Sequence, residues 1–365
     1  MDTTGEEKVL MKGNEAIAEA ALRAGCAAYY GYPITPQNEL IAYMASHMND
    51  LGRVFIQAES EVAAINMVYG SAACGFRAMT SSSSPGISLK QEGISYAAGA
   101  DLPLVFVNIV RGGPGLGSIA PAQSDYFQST RGGGHGDYHV IVLAPASVQE
   151  AADLTWLAFD LADKWRMPVM ILGDGVIGQM MEGVTLPPWK KDLPDKSSWA
   201  VGNMGAQVGP DGKPRSPRHI TSIFLIPEEL QAIIRARFER YAHIRDEETR
   251  FEAIDCEGAD VVLVAYGTSA RICLGALELA RKEGLKVGLF RPISLWPFPD
   301  KAIADLAERG ASFVSVEMSM GQMVEDIRLA VNGRARVDLL SRTGGMLPTE
   351  DEILAICKKI LEESR

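Results

Sequence analysis

Nowhere do the 365 residues reach the ~18 consecutive apolar positions that a membrane span requires. The opening MDTTGEEKVLMKGNEA also lacks the apolar core of a secretory signal, so a cytoplasmic protein with no membrane partner is expected. Cysteine is scarce. Cys26, Cys74, Cys256, Cys273 and Cys357 form no C-x-x-C pair and match no zinc or iron–sulfur spacing. An odd, widely spaced set reads as reduced, mostly buried thiols, and no metal site is expected in this chain. Positive charge is in deficit: 35 Lys and Arg face 46 Asp and Glu, for a net charge of −11. That balance argues against nucleic acid or an anionic membrane as the main partner. No Walker phosphate loop is present. The glycines at 112, 113, 115 and 117 lack the spacing and acidic partner of a Rossmann fingerprint. The serines at 81–84 have no adjacent base, which sets a serine hydrolase aside.

What the chain does have is alternation. Helix-like Glu15 to Ala24, stopped by Gly25, precedes an apolar run from Cys26 to Tyr30. Thr35-Pro36 reads as the start of a helix, with Thr35 as N-cap and Pro36 as the first helical residue. A strand is expected at Val54 to Gln57, a small-residue helix from Glu61 to Cys74 and a strand at Arg77 to Thr80. Leu104 to Val110 is a continuous apolar run of the kind buried on both faces of a parallel sheet. Val140 to Leu143, Ser147 to Lys164 and Pro168 to Leu172 extend the pattern into an α/β doubly wound domain spanning 1–185. Prolines and glycines then punctuate a polar stretch, among them Pro194, Pro210, Gly212, Pro214 and Pro217. An amphipathic helix follows, with Leu230, Ile233, Ile234, Phe238 and Tyr241 on one face and a solvated, charge-rich end at 245–250. Residues 186–258 are therefore read as linker, wrapping loop and helix. A smaller α/β domain occupies 259–365, opening on the strand Val261 to Tyr266.

Three residues invite a chemical reading. Thr35 lies between a strand end and a helix start, where a hydroxyl and backbone N–H groups can take a carboxylate or keto oxygen; it also serves simply as a cap. Glu61 precedes Val62, Ala63, Ala64, Ile65 and Met67, so its helix is expected to be buried. A buried carboxylate needs a partner and is suited to exchanging a proton with a ring nitrogen; an exposed first-turn acid is the plainer reading. Arg111 closes the apolar strand and offers a planar fork for a carboxylate, or it reaches solvent. Arg131 and His135 sit in a glycine-rich loop, Arg131 to Asp137, read as a pocket-closing, partner-facing or mobile surface loop.

Gly31-Tyr32-Pro33-Ile34-Thr35-Pro36, Ala58-Glu59-Ser60-Glu61, Ser82-Ser83-Ser84-Pro85-Gly86-Ile87-Ser88, Asn108 to Gly115 and Gly133 to Asp137 together resemble the alpha subunit of 2-oxoacid:ferredoxin oxidoreductases. The 2-oxoisovalerate (branched-chain) type is the nearest likeness. The resemblance implies a pyrimidine-binding thiamine-type domain at 1–185. It also implies a transketolase C-terminal-like domain at 259–365, matched best at Tyr266-Gly267-Thr268 and Arg291 to Phe298. In that family Glu61 would bond the aminopyrimidine of thiamine diphosphate, with Pro33 and Ile34 also binding the cofactor. Thr35 and Arg111 would bind the substrate. Gly173-Asp174-Gly175 resembles part of a magnesium motif but lacks the downstream Asn, and is read as a turn. The diphosphate site, Mg2+ and the iron–sulfur clusters are thus expected on partner chains. Coenzyme A is the implied acyl acceptor. The implied assembly is a dimer of heteromers with beta, gamma and ferredoxin-like delta subunits, passing electrons to ferredoxin. Open alternatives are the same chemistry on 2-oxoglutarate or pyruvate, a lipoamide-linked dehydrogenase beta component, and a non-catalytic scaffold. A diacid substrate would need a second cation, from Arg131, Lys90 or the beta subunit.

Overall fold

The structure, a computed structural model, describes residues 8–202 and 218–363. Pro210, Gly212, Pro214 and Pro217 of the polar stretch fall outside the described residues. The first sheet has seven strands in the spatial order Ser294–Trp296, Ile141–Leu143, Pro168–Asp174, Leu104–Val110, Ala78–Ser82, Ala28–Gly31 and Val54–Gln57. All pairings are parallel except that of Ser294–Trp296. Every residue of Leu104–Val110 is buried, as its unbroken apolar run predicts for a central strand. The helix Gly13–Arg23 buries Ala16, Ile17, Ala20 and Ala21 completely, and Gly25 follows its end at φ +85°. Only a residue without a Cβ takes that conformation cheaply, so the glycine ends the helix.

The second sheet has five strands, ordered Val337–Ser341, Ser312–Glu317, Val261–Val264, Val287–Pro292 and Phe251–Ile254. The last runs antiparallel to its neighbour. Two features tie the sheets together. Ser294–Trp296 leaves the second unit to pair with Ile141–Leu143 at the edge of the first sheet. Asp174, at the end of a first-sheet strand, caps two helices at once. Its carboxylate accepts from the Val176 and Ile177 amides of Gly175–Gln179, and from the Thr268 amide (3.3 Å) and hydroxyl (2.8 Å) at the start of Gly267–Lys282. The expected turn at Gly173-Asp174-Gly175 is therefore a strand end and shared helix cap. Its role depends on Thr268, far away in sequence.

Three other expectations are corrected. Thr35 is not an N-cap: the helix starts at Asn38, and the Thr35–Pro36 peptide is cis in the turn before it. Gln37 lies between Pro36 and the first helical turn. The helix Pro227–Glu248 does form, but Leu230 and Phe238 on its expected inner face are exposed. The buried positions are Arg237, Tyr241, Ile244 and Glu248, because Arg237 is drawn to the Gly99 carbonyl and the Asp101 carboxylate. Nor is the charged end wholly solvated. Glu248 is buried against the Trp165 indole N–H, Lys164 and Arg250.

Candidate active site

Connections from the first sheet diverge between Ala28–Gly31 and Ala78–Ser82. The chain leaves Gly31 toward the edge strand Val54–Gln57, and leaves Ser82 in the opposite direction, toward Leu104–Val110. Ligands of open parallel sheets bind beyond the carboxyl ends of the strands at such a switch point. Here the switch point receives the Gly31–Pro36 turn, the first turn of Glu61–Ala73, the first turn of Ser84–Gly99, and Arg111.

Glu61 is the first residue of its helix, where the adjacent Ser60 hydroxyl accepts from the Ala63 amide. The residue is 6% exposed. Its carboxylate lies against Gly86 so closely that a Cβ added there would come within 2.7 Å of Glu61 Oε1 and would strike Ser82 Oγ. Glycine at 86 is thus required by close approach. The Ser82 and Ser83 hydroxyls and Lys90 Nζ are buried without hydrogen bonds. Lys90, one turn along from Gly86, has no exposed surface. Burial pushes its ammonium down to about 8, against the opposing pull of the Glu61 charge.

Arg111 is brought to Thr35. One guanidinium N–H group donates to the Thr35 carbonyl at 3.0 Å and another to the Leu116 carbonyl at 3.2 Å. Its Nε is buried with no partner. The Ser84 hydroxyl accepts from the Arg111 amide and donates to its carbonyl, fixing this strand end to the start of Ser84–Gly99. Asn108 Oδ1 accepts from the Ser84 amide, while Asn108 Nδ2 donates to Asp125. Thr35, Glu61 and Arg111 therefore converge on one helix N-terminus. Ile34 and Thr35 are half-buried and Pro33 is exposed on the same turn. Under it runs a fully bonded chain: Tyr29 and Ser81 share a hydroxyl contact, and Ser81 donates to Gln37.

Arg131 and His135 are set apart from that cluster. Arg131 pairs with Asp326 and Glu325 of the second unit and stacks on Phe127. The glycine loop lies along the helix Ser84–Gly99: the Ser95 hydroxyl donates to the His135 carbonyl, and the Gly134 amide donates to the Tyr138 hydroxyl. The His135 ring is exposed and meets Tyr96 edge-on. Sequence reasoning quoted Ser84 and Asn108 only within motifs and gave them no role, whereas Ser84 bonds the Arg111 backbone and Asn108 bonds the Ser84 amide. A serine just before the helix-starting Pro85 was the available signal.

The residues present fit a thiamine-type ring. The Glu61 carboxylate and the unpartnered Ser82 hydroxyl meet at Gly86, and the Ser83 hydroxyl and Lys90 ammonium of the same segment are also buried without partners, at the place where the fold receives ligands. Among the described residues no group of three or more His, Cys, Asp or Glu could hold a metal ion. No helix there is long and apolar enough to cross a membrane.

Comparison with known proteins accords with this geometry. A family model for the thiamine-diphosphate-binding part of pyruvate flavodoxin/ferredoxin oxidoreductases matches residues 19–217. A second, for core domain II of pyruvate:ferredoxin oxidoreductase, matches 259–353. The chain is 50% identical over 355 residues to the ketoisovalerate oxidoreductase subunit VorB of Methanothermobacter marburgensis, covering 97% of this chain and 98% of that one. It is 34% identical over 380 residues to the 2-oxoglutarate synthase subunit KorA of Methanothermobacter thermautotrophicus, covering 97% and 99%. Among solved structures, the 2-oxoglutarate:ferredoxin oxidoreductase from Magnetococcus marinus, with 2-oxoglutarate, coenzyme A and succinyl-CoA bound, superposes with a TM-score of 0.82 at 25% identity. The match covers 98% of this chain and 66% of that one.

Proposed function

The chain belongs to the 2-oxoacid:ferredoxin oxidoreductase family, and we propose that it is the alpha subunit of a multi-subunit enzyme that oxidatively decarboxylates a branched-chain 2-oxo acid. Coenzyme A takes the acyl group and ferredoxin the electrons. The observation that carries this reading is Glu61: a buried carboxylate at the switch point, beside an arginine with an unpartnered Nε.

Thiamine diphosphate, when bound, supplies the nucleophilic carbon and the electron sink. Glu61 is the residue of this chain that exchanges a proton with a ring nitrogen. Its burial keeps water from competing for the proton. Arg111 is oriented by Thr35 and Leu116 through backbone carbonyls, so its remaining N–H groups are free to grip a substrate carboxylate. Thr35 places its hydroxyl, and Pro33 and Ile34 their apolar surface, on the same turn. This chain supplies no cluster ligands and no complete diphosphate–magnesium motif. Mg2+, the iron–sulfur clusters and the second wall of the site belong to beta, gamma and ferredoxin-like delta subunits.

A five-carbon branched monoacid is favoured over 2-oxoglutarate for two reasons. The relatives at 50% and 49% identity are both named ketoisovalerate oxidoreductase subunits. Of the two cations in this chain offered to a distal carboxylate, Arg131 is engaged by Asp326, and Lys90 is enclosed beside Glu61. The test is turnover of the purified complex on 2-oxoisovalerate, 2-oxoglutarate and pyruvate, with coenzyme A and a viologen dye. Preference for 2-oxoisovalerate is expected. Glu61→Gln should cost ~100-fold or more in turnover with the complex still assembled. Preference for the diacid overturns the substrate assignment, and full activity in the variant overturns the catalytic one.

A further inference from the structure

The strand Leu104–Val110 carries one polar residue, Asn108, three positions before Arg111. An amide with no exposed surface in the middle of a sheet costs stability unless its donor and its acceptor are both used. Both are used, on different elements. Oδ1 accepts from the Ser84 amide at 3.0 Å, and Nδ2 donates to Asp125 Oδ2 at 2.9 Å. Ser83, just before the helix Ser84–Gly99, makes no capping bond with its side chain. The first amide of that helix is met instead from the neighbouring strand.

The helix start held in this way reaches Arg111. The Ser84 hydroxyl accepts from the Arg111 amide at 3.1 Å and donates to its carbonyl at 3.3 Å. Asp125 is itself tied down. The chain leaving Arg111 returns to it: Pro121 bridges Arg111, and the Gly112 amide donates to the Ala120 carbonyl. Two residues before Asp125, the Gln123 side chain enters the second unit. Its Nε2 donates to the Tyr266 carbonyl at 2.8 Å, and its Oε1 accepts from the Ser269 hydroxyl and the Met318 amide. Asp125 thus stands on a segment that the second unit holds, and Asn108 links it to Ser84. Thr35 and Leu116 fix the far end of the Arg111 side chain. Asn108 and Asp125 fix its root.

We propose that Asn108 and Asp125 are positioning residues for Arg111: through the Ser84 hydroxyl they set where its guanidinium meets the substrate carboxylate. A fork that grips through two N–H groups loses its match when its root moves by about 1 Å. The proposal rests on Arg111 being the residue that holds that carboxylate.

The test uses the assembled complex. Asn108→Asp keeps the side-chain size and the acceptor for the Ser84 amide, but sets a second carboxylate against Asp125. Asp125→Ala removes the acceptor from the half-buried loop residue. Asn108→Asp with Asp125→Asn reverses donor and acceptor and restores the bond. Each single variant should raise KM for 2-oxoisovalerate about tenfold or more and change kcat less than about threefold. The reversed pair should recover most of the loss. In an Arg111→Met background neither single variant should raise KM further, since both act through the arginine. The readout independent of turnover is hydrogen–deuterium exchange over 111–121, which should quicken in the single variants and slow again in the reversed pair. A reversed pair no better than the single variants, KM effects that multiply with Arg111→Met, or exchange that does not change overturns the proposal. If exchange responds as expected but Arg111→Met leaves KM unchanged, the positioning stands, and it is the substrate-binding reading of Arg111 that falls.

Discussion

Replacing Lys90 by methionine should make the fold more stable at neutral pH, and the gain should fade as the pH rises. Burial moves the Lys90 ammonium from its ordinary 10.5 to about 8, a net fall after the favourable pull of Glu61 is included. A shift of that size corresponds to about 3 kcal/mol between the folded and unfolded chains. The sign follows from proton counts. Between pH 8 and 10.5 the unfolded chain holds the lysine proton and the folded chain releases it, so stability of the unaltered protein climbs with pH across that window. Below about pH 8 the penalty is present in full, and above 10.5 it is gone. Methionine matches lysine in length and carries no charge, so Lys90→Met removes the penalty without opening a cavity.

The assay is urea unfolding of the full chain at pH 7, 8, 9 and 10, comparing the two proteins. The variant should lead by about 3 kcal/mol at pH 7, with the gap narrowing steadily above pH 8. A gap that stays constant across the series, or a variant less stable at pH 7, refutes the reasoning. Either result would mean that the ammonium has a partner in the folded protein.

Two other substitutions probe the frame of the site. Gly86→Ala places a Cβ against Ser82 Oγ and 2.7 Å from Glu61 Oε1; it should cost about 1–3 kcal/mol in unfolding experiments and weaken thiamine diphosphate binding by the complex, measured by calorimetry. Asp174→Ala removes the acceptor for four donors from two helices; about 3 kcal/mol or more should be lost in denaturant, because the donors are left buried and unpaired.

The parts of the fold that depend on local pattern were legible. Val54–Gln57 and Leu104–Val110 begin and end where apolar and β-branched runs place them. The sequence did not disclose Val9–Lys12, Phe251–Ile254 or Ser294–Trp296. Val9–Lys12 and Ser294–Trp296 exist because of a partner strand far along the chain. The site divides the same way. Glu61 stood out because a carboxylate opened an apolar helix. Lys90 was singled out only as a cation for a diacid, and its complete burial shows only in the packed fold. Thr35 was placed at a helix start that lies instead at Asn38, and only the fold shows that its carbonyl accepts from Arg111.

The distribution of satisfied and unsatisfied polar groups carries the last step. Beneath the Gly31–Pro36 turn, Tyr29, Ser81 and Gln37 complete one another's hydrogen bonds. One layer above, Ser82, Ser83, Lys90 and the Nε of Arg111 are buried with none. Each such group costs on the order of 1–3 kcal/mol if nothing ever pairs with it. A fold that satisfies the lower layer so fully has the means to satisfy the upper one. Serine at 82 and 83 and lysine at 90 would then be expected to give way to apolar residues of like size, as buried polar groups without partners confer nothing on stability. The unpartnered hydroxyls of Ser82 and Ser83 and the Nε of Arg111 lie at the switch point with Glu61, which is the pattern of a surface finished by a polar ligand. On the proposed function, that ligand is the thiamine ring with the 2-oxo acid.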